Sequence, residues 1–206
     1  MLEIASNMTD AASLDRRIAA RARELRAARA LSLDALAERS GVSRSMISLI
    51  ERGESSATAV VLERLATGLG VALATLFDAP HADADGAPAG PVARRDAQPV
   101  WRDPASGYTR RNVSPPGVPQ PMQIVEVHFP ARARVSFETG ARDVRVDQQI
   151  WVLDGTIDVT VGDERHRLRR GDCLAMRLDR PTMFHNPTRT TARYAVVIAS
   201  DTNGRR

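Results

Sequence analysis

Apolar residues recur at helical spacing over the first third of the chain and at every second position over its last half, so the pattern alone divides the sequence in two. Leu14, Ile18, Ala22 and Leu25 make one stripe, which predicts a first helix capped by Ser13 after a loose arm over residues 1–12. Leu33, Leu36 and Ala37 mark a second helix, begun by Ser32 and ended by Gly41, a residue type that tolerates left-handed backbone. Val42 plugs the corner, and Ser43 opens a third helix with Ile47 and Ile50 inward and Gly53 at its end. Thr58 is placed to cap a fourth helix, with Leu62, Leu65, Ala66 and Leu69 inward and Gly70 after it; Val71 to Phe77 reads as a short fifth. Residues 79–99 are rich in Ala, Pro, Gly and Asp without a sustained period, the composition of a semi-flexible linker.

Beyond the linker the period becomes two. Strands are predicted near Tyr108–Val113, Gln123–Phe129, Arg134–Phe137, Gln149–Leu153, Thr156–Val161, Arg165–Leu168, Cys173–Arg177, Thr182–His185 and Arg193–Ala199. Asp154-Gly155, Gly162-Asp163 and Gly171-Asp172 supply turns between them. Many short strands at this spacing indicate a sandwich or barrel. The expected fold class is therefore a two-domain chain, α followed by all-β: a five-helix domain over residues 13–78, a linker over 79–99 and a β domain over 100–200.

The two short capped helices from Ser32 to Gly53, joined by a tight turn holding Gly41, have the form of a helix-turn-helix. At about 100° per residue, Arg44, Ser45, Ser48, Leu49 and Arg52 point away from Ile47 and Ile50. Such a face suits the major groove, where Arg bonds both acceptors of guanine, hydroxyls bond several base edges and Leu touches a thymine methyl. The capped starts at Ser32 and Ser43 offer N–H groups to phosphates. A helical hairpin that serves only packing or dimerisation would share the same spacing.

The run from Gly41 to Val71, GVSRSMISLIERGESSATAVVLERLATGLGV, resembles the DNA-binding domain of the xenobiotic-response-element, phage-repressor-like regulators. The turn, the Ile-Ser-x-Ile-Glu-x-Gly run and the following Leu-x-x-x-Ala-x-x-Leu helix carry the match, which covers roughly residues 13–78. The resemblance implies that Arg44 and Ser45 read bases, Leu49 less firmly, and that Arg26 pairs with Glu51 as scaffold.

Composition changes this picture little. A net charge of +4 on 206 residues comes with no Lys at all, so every one of the 29 cations is Arg; acidic residues are interleaved through the helices, and Arg placement matters more than its total. The lone Cys173 excludes an intrachain disulfide and a cysteine zinc cluster, and its apolar strand context suggests a small buried side chain. The first residues lack a signal-peptide pattern and no apolar run reaches membrane-span length, so a cytoplasmic, soluble protein is expected.

The segment from Trp151 to Pro187 resembles a cupin, a small jelly-roll barrel, in its Val-Leu-Asp-Gly turn, its Arg-Gly-Asp turn and its closing Asn-Pro. Metal-dependent cupins place two His, one Glu and a further His inside the barrel, donors that suit iron, manganese or zinc. Counting from Gly155 and Gly171, those places fall on Arg142, Val144, Gln148 and Thr182, or on Ala141 and Asp143 if the register near Arg142 slips by one. Either way the ligand set is lost, and His185 cannot rebuild it; no metal and no cofactor are expected. His81, His128 and His166 make no metal case either. What remains is an effector site built from Arg142, Gln148 and Thr182, walled by Phe137, Ile150, Val152 and Phe184, against the alternative of a filled barrel with Arg142 in solvent.

Together these readings describe a non-enzymatic transcription regulator. It would bind a palindromic double-stranded operator as a homodimer held by the cupin-like domain, with a small effector, anionic or neutral. The rivals are a cupin isomerase or dioxygenase with a helical tether, disfavoured by the altered metal positions, and an antitoxin-like autoregulator, disfavoured by the full second domain.

Overall fold

Among the described residues, three of the four α-helices begin at a side-chain oxygen. The computed structural model describes residues 2–78, 90–118, 121–138 and 145–200. Ser32 Oγ accepts from the Ala35 N–H at 3.0 Å to start α2 (Leu33–Ser40), Ser43 Oγ from Met46 at 3.3 Å to start α3 (Arg44–Glu51), and Thr58 Oγ1 from Val61 at 3.4 Å to start α4 (Ala59–Gly68). Gly41, with φ at 65°, ends α2 in the left-handed region. The inward sets of the second to fourth helices converge with Leu14, Ile18, Ala22 and Leu25 of α1 on one buried core.

Two helical expectations change. The helix α1 runs Leu2–Ala28, straight through Ser13, because residues 2–13 contain neither Gly nor Pro to stop it. The fifth helix is a 3-10 turn, Leu73–Phe77, in which the Thr75 N–H reaches the Ala72 carbonyl at 3.0 Å. Its Ala74, Leu76 and Phe77 are all buried, so no single stripe favours an α-helix there.

The β domain is two facing antiparallel sheets rather than a closed barrel. One has the order β1-β2-β3-β10-β5-β8, from strands β1 (Val100–Arg102), β2 (Thr109–Asn112), β3 (Met122–Phe129), β10 (Ala192–Ser200), β5 (Val146–Asp154) and β8 (Cys173–Arg177). The other has the order β4-β9-β6-β7, from β4 (Arg134–Phe137), β9 (Thr182–His185), β6 (Thr156–Val161) and β7 (Glu164–Arg169). Closure would need β1 or β8 to bond across to β4 or β7, and the outermost strands of each sheet pair on one side only. The strand β1 is not among the predicted strands because three residues, exposed, buried and exposed, are too few to establish a period. Between the sheets Phe184 of β9 stacks on Tyr194 of β10 with ring centroids 6.2 Å apart.

The helical and β parts pack on one another. Phe77 meets Trp101 edge-on at 5.5 Å, Trp101 meets Tyr108 at 5.8 Å, and Tyr108 stacks on Phe129 at 5.6 Å. Buried Asp103, just after β1, accepts the Ala59 N–H at 2.9 Å, so the start of α4 takes one cap from Thr58 and another from the β domain. Asp78 accepts from Gln123 Nε2 at 2.9 Å, and Arg64 of α4 pairs with Glu138 at 2.7 Å.

Candidate nucleic-acid interface and inter-domain cavity

The helix α3 is fixed from behind and open in front. Ile47 and Ile50 enter the core, and Glu51 beside them is buried as a carboxylate because Arg26 takes it on one guanidinium edge, Nε to Oε1 and Nη2 to Oε2, both at 2.7 Å. That is the pair the family resemblance implies. Arg26 Nη1 also donates to the Leu31 carbonyl at 2.9 Å, tying α1 to the start of the helix-turn-helix. The strands that pack on the helical part do so chiefly through α1 and α4.

On the outer face Arg44, Ser45 and Met46 are exposed and Ser48 and Leu49 half-buried. Arg44 Nε lies 3.4 Å from Asp34, a contact between two well-exposed groups that solvent weakens. Ser43 Oγ is shared between its cap and Ser45 Oγ at 3.2 Å, so its hydroxyl is partly committed. Ser32 is likewise used as a cap. Arg52 donates to Ser48 Oγ and grips Glu54 through Nε at 2.8 Å and Nη2 at 2.7 Å, so a phosphate at Arg52 competes with a carboxylate already there. Met46, passed over in the sequence, adds a flexible apolar contact to this face.

The expected effector residues divide. Phe137, Gln148 and Phe184 line a cavity of about 70 Å³ at the junction of the two parts, with Tyr108, Val127, Phe129, Tyr194 and Val196. Ile150 and Val152 do not line it; both are fully buried between the sheets. Thr182 is buried too, its hydroxyl donating to the Arg180 carbonyl at 3.1 Å away from the cavity. Arg142, Val144 and the alternative pair Ala141 and Asp143 lie outside the described residues, as does His81. Glu63, Ala72, Leu73 and Ala74 complete the wall from the helical side, which the sequence did not suggest.

The cation of this cavity is Arg110, on β2. It is buried; burial lowers its pKa, while Tyr108, Asp78 and Tyr194 act the other way. Its Cζ sits 4.8 Å from the Phe77 ring centroid, and its Nε and Nη2 have no hydrogen-bond partner among the described residues. Burial likewise raises the Tyr108 and Tyr194 hydroxyls, which stay protonated at neutral pH. Among the described residues no group of His, Cys, Asp and Glu side chains is arranged to hold a metal ion, and no helix is long and apolar enough to cross a membrane.

On the outer face of the six-stranded sheet, Met122, Ile124 and Trp151 are exposed, with Val197 of β10 in register with Ile124 and Ala195 with Trp151. Cys173, expected to be buried, is exposed on this face opposite Trp151, because β8 is an edge strand that turns Cys173, Ala175 and Arg177 outward.

Comparison with known proteins places this geometry. The family described as Helix-turn-helix, HTH_3, matches residues 23–76. The chain is 29% identical over 179 residues to the HTH-type transcriptional regulator SutR of Escherichia coli (strain K12), spanning 85% of this chain and 90% of that protein. A solved HTH_3 family transcriptional regulator from Vibrio cholerae superposes with a TM-score of 0.70 at 25% identity, over 91% of this chain and 97% of that one. Hydroxypropylphosphonic acid epoxidase from S. wedmorenis matches over 90% of this chain and 98% of its own at 18% identity, but a TM-score of 0.42 carries no argument about chemistry. Residues 23–76 therefore form a helix-turn-helix domain of the HTH_3 type, followed by a two-sheet β domain, and over most of its length the chain is similar to HTH-type transcriptional regulators.

Proposed function

We propose that this chain is a sequence-specific, non-enzymatic regulator that binds a palindromic operator as a homodimer and responds to a small effector in its β domain. The observation that carries the reading is α3: held from behind by the Arg26–Glu51 pair, it presents Arg44, Ser45 and Met46 as exposed side chains at its N-terminal half. Arg44 and Ser45 read base edges and Leu49 adds an apolar contact. Ser48, Arg52 and the capped starts at Ser32 and Ser43 meet the backbone. The regulators that match most of the chain support binding rather than turnover.

The homodimer forms through the outer face of the six-stranded sheet, where Met122, Ile124 and Trp151 make an apolar patch. Charged groups rim that patch, Glu126 with Arg193 on one side and Asp147 with Arg177 on the other. A two-fold pair of helix-turn-helix domains then spans half-sites about 34–36 Å apart or a multiple of that.

The test is an operator selected from random duplexes with the full chain. Arg44→Ala is expected to cost roughly 1–3 kcal/mol on that site and to relax the preference at one base pair per half-site. Arg52→Ala should instead weaken all sequences alike and reduce the salt slope by about one unit. An Arg44→Ala chain with unchanged affinity and unchanged sequence preference removes the role assigned to α3.

A further inference from the structure

Arg110 is charged and closed off from water, with two donors idle. A buried guanidinium is ordinarily matched by a carboxylate or by carbonyls, since the uncompensated charge works against folding. Half-buried Arg26 uses its Nε and Nη2 to hold both oxygens of Glu51, and even the exposed Arg52 uses the same two atoms on Glu54. On Arg110 that same edge has no hydrogen-bond partner among the described residues. Neither Glu63 nor Gln148, the other polar side chains besides the tyrosines among the described lining residues, bonds to that edge, and Asp78, whose field reaches it, accepts from Gln123.

We infer that the inter-domain cavity binds a small, apolar-bodied monocarboxylic acid, with its two carboxylate oxygens on the Nε–Nη2 edge of Arg110 and its body among Val127, Phe129, Phe137 and Phe184. The planar fork fits a carboxylate in two parallel hydrogen bonds, and its one negative charge matches the one charge of the guanidinium. A divalent phosphate or sulfate would bring a second negative charge to a wall that already holds the Glu63 carboxyl group. A volume of about 70 Å³ has room for on the order of five water-sized groups, which sets the ligand at short-chain size.

The acid touches both domains at once. Phe77, which stacks on Arg110, and Leu73 and Ala74 of the cavity wall belong to the helical part. Occupancy of the Arg110 edge therefore acts directly on the seam that positions α4, whose first N–H is held by Asp103. This assignment rests on the effector-responsive reading proposed above and supplies its ligand class and its contact with the DNA-binding domain.

The experiment is calorimetric titration of the full chain, without DNA, with the carboxylates from acetate to hexanoate, with the matching alcohols and with sulfate. Saturable binding of a carboxylate of intermediate length, at least tenfold stronger than that of its alcohol or of sulfate, is expected. Arg110→Met should lose this binding at least tenfold while melting at the same temperature as the parent or higher, because it removes an unsatisfied buried charge. Arg110→Lys, which keeps the charge without the fork, should bind at an intermediate level. Silence of the whole series with the parent chain, equal binding by Arg110→Met, or a large loss of stability in that variant, the mark of a structural arginine, overturns the assignment. Because the titration contains no DNA, failure on operator DNA would sink the regulator reading and leave the carboxylate site standing.

Discussion

Asp158 is buried on β6, facing two arginines of the neighbouring strand. Arg167 donates to it through Nε at 2.8 Å and Nη2 at 3.0 Å, Arg165 adds another bond, and together they hold its carboxyl at a pKa of about 2 despite burial. A depressed carboxylate stabilises the fold at pH values above its ordinary titration range, and that contribution is lost as pH falls from about 4 toward 2. Asp158→Asn is thus expected to lower stability at neutral pH by on the order of 1 kcal/mol, allowing for solvent around the half-exposed guanidiniums, and to flatten the loss between pH 4 and 2. Denaturant unfolding of both chains across that range checks it; parallel pH profiles would refute it. At this scale local signals are legible in the sequence, although Ser13, a residue type suited to the same cap, lies inside α1. The capping oxygens of Ser32, Ser43 and Thr58 act within three residues of their own position, so each was found. Arg110 was not, because its distinction is a partner missing in three dimensions, and one Arg among so many carries no mark in the chain.

At the scale of elements, α2 and α4 come together at Gly68. A Cβ there would lie 2.8 Å from Ser40 Cβ and 3.0 Å from the Ser40 backbone nitrogen, so a side chain would press on backbone rather than on a flexible tip. Gly68→Ala gains roughly 1 kcal/mol in helix propensity but must push α2 away; a net loss of about 1–2 kcal/mol is expected, read as a lower midpoint in denaturant with unchanged slope. An equally stable or more stable variant would show that the two helices separate freely. Periodicity located these helices because each presents one stripe to one core. It failed where an element is too short for a period, as at β1 and Leu73–Phe77, and where no signal marks a start, as at the first turn of α1. Strand identities were legible from alternation, but whether the sheets close depends on which edges meet, and alternation is silent on that. The same limit hid which inward residues reach a cavity: Gln148 and Ile150 share a face of β5, yet only Gln148 lines it.

At the scale of the whole molecule, the proposed dimer predicts that Trp151→Glu, which places a charge in the centre of the exposed sheet face, yields monomers in sedimentation and weakens operator binding well beyond the effect on one half-site. A Trp151→Glu chain that still sediments as a dimer would move the interface elsewhere. The aromatic series Phe77, Trp101, Tyr108 and Phe129 runs without interruption from the helical core into the β core. Heat should therefore melt the chain as one cooperative unit, a single endotherm with equal calorimetric and van't Hoff enthalpies, and two resolved peaks would contradict this. The same seam bears on how such chains diversify. An exchange of reading heads between relatives would set a foreign residue where Phe77 meets Trp101 and Arg110, so a functional hybrid needs its breakpoint outside that contact, or matching changes on both sides of it. The two domains are thus expected to exchange only as fitted pairs, and under the proposed function a new operator specificity is reached more readily by changes on the face of α3 than by transplanting the domain.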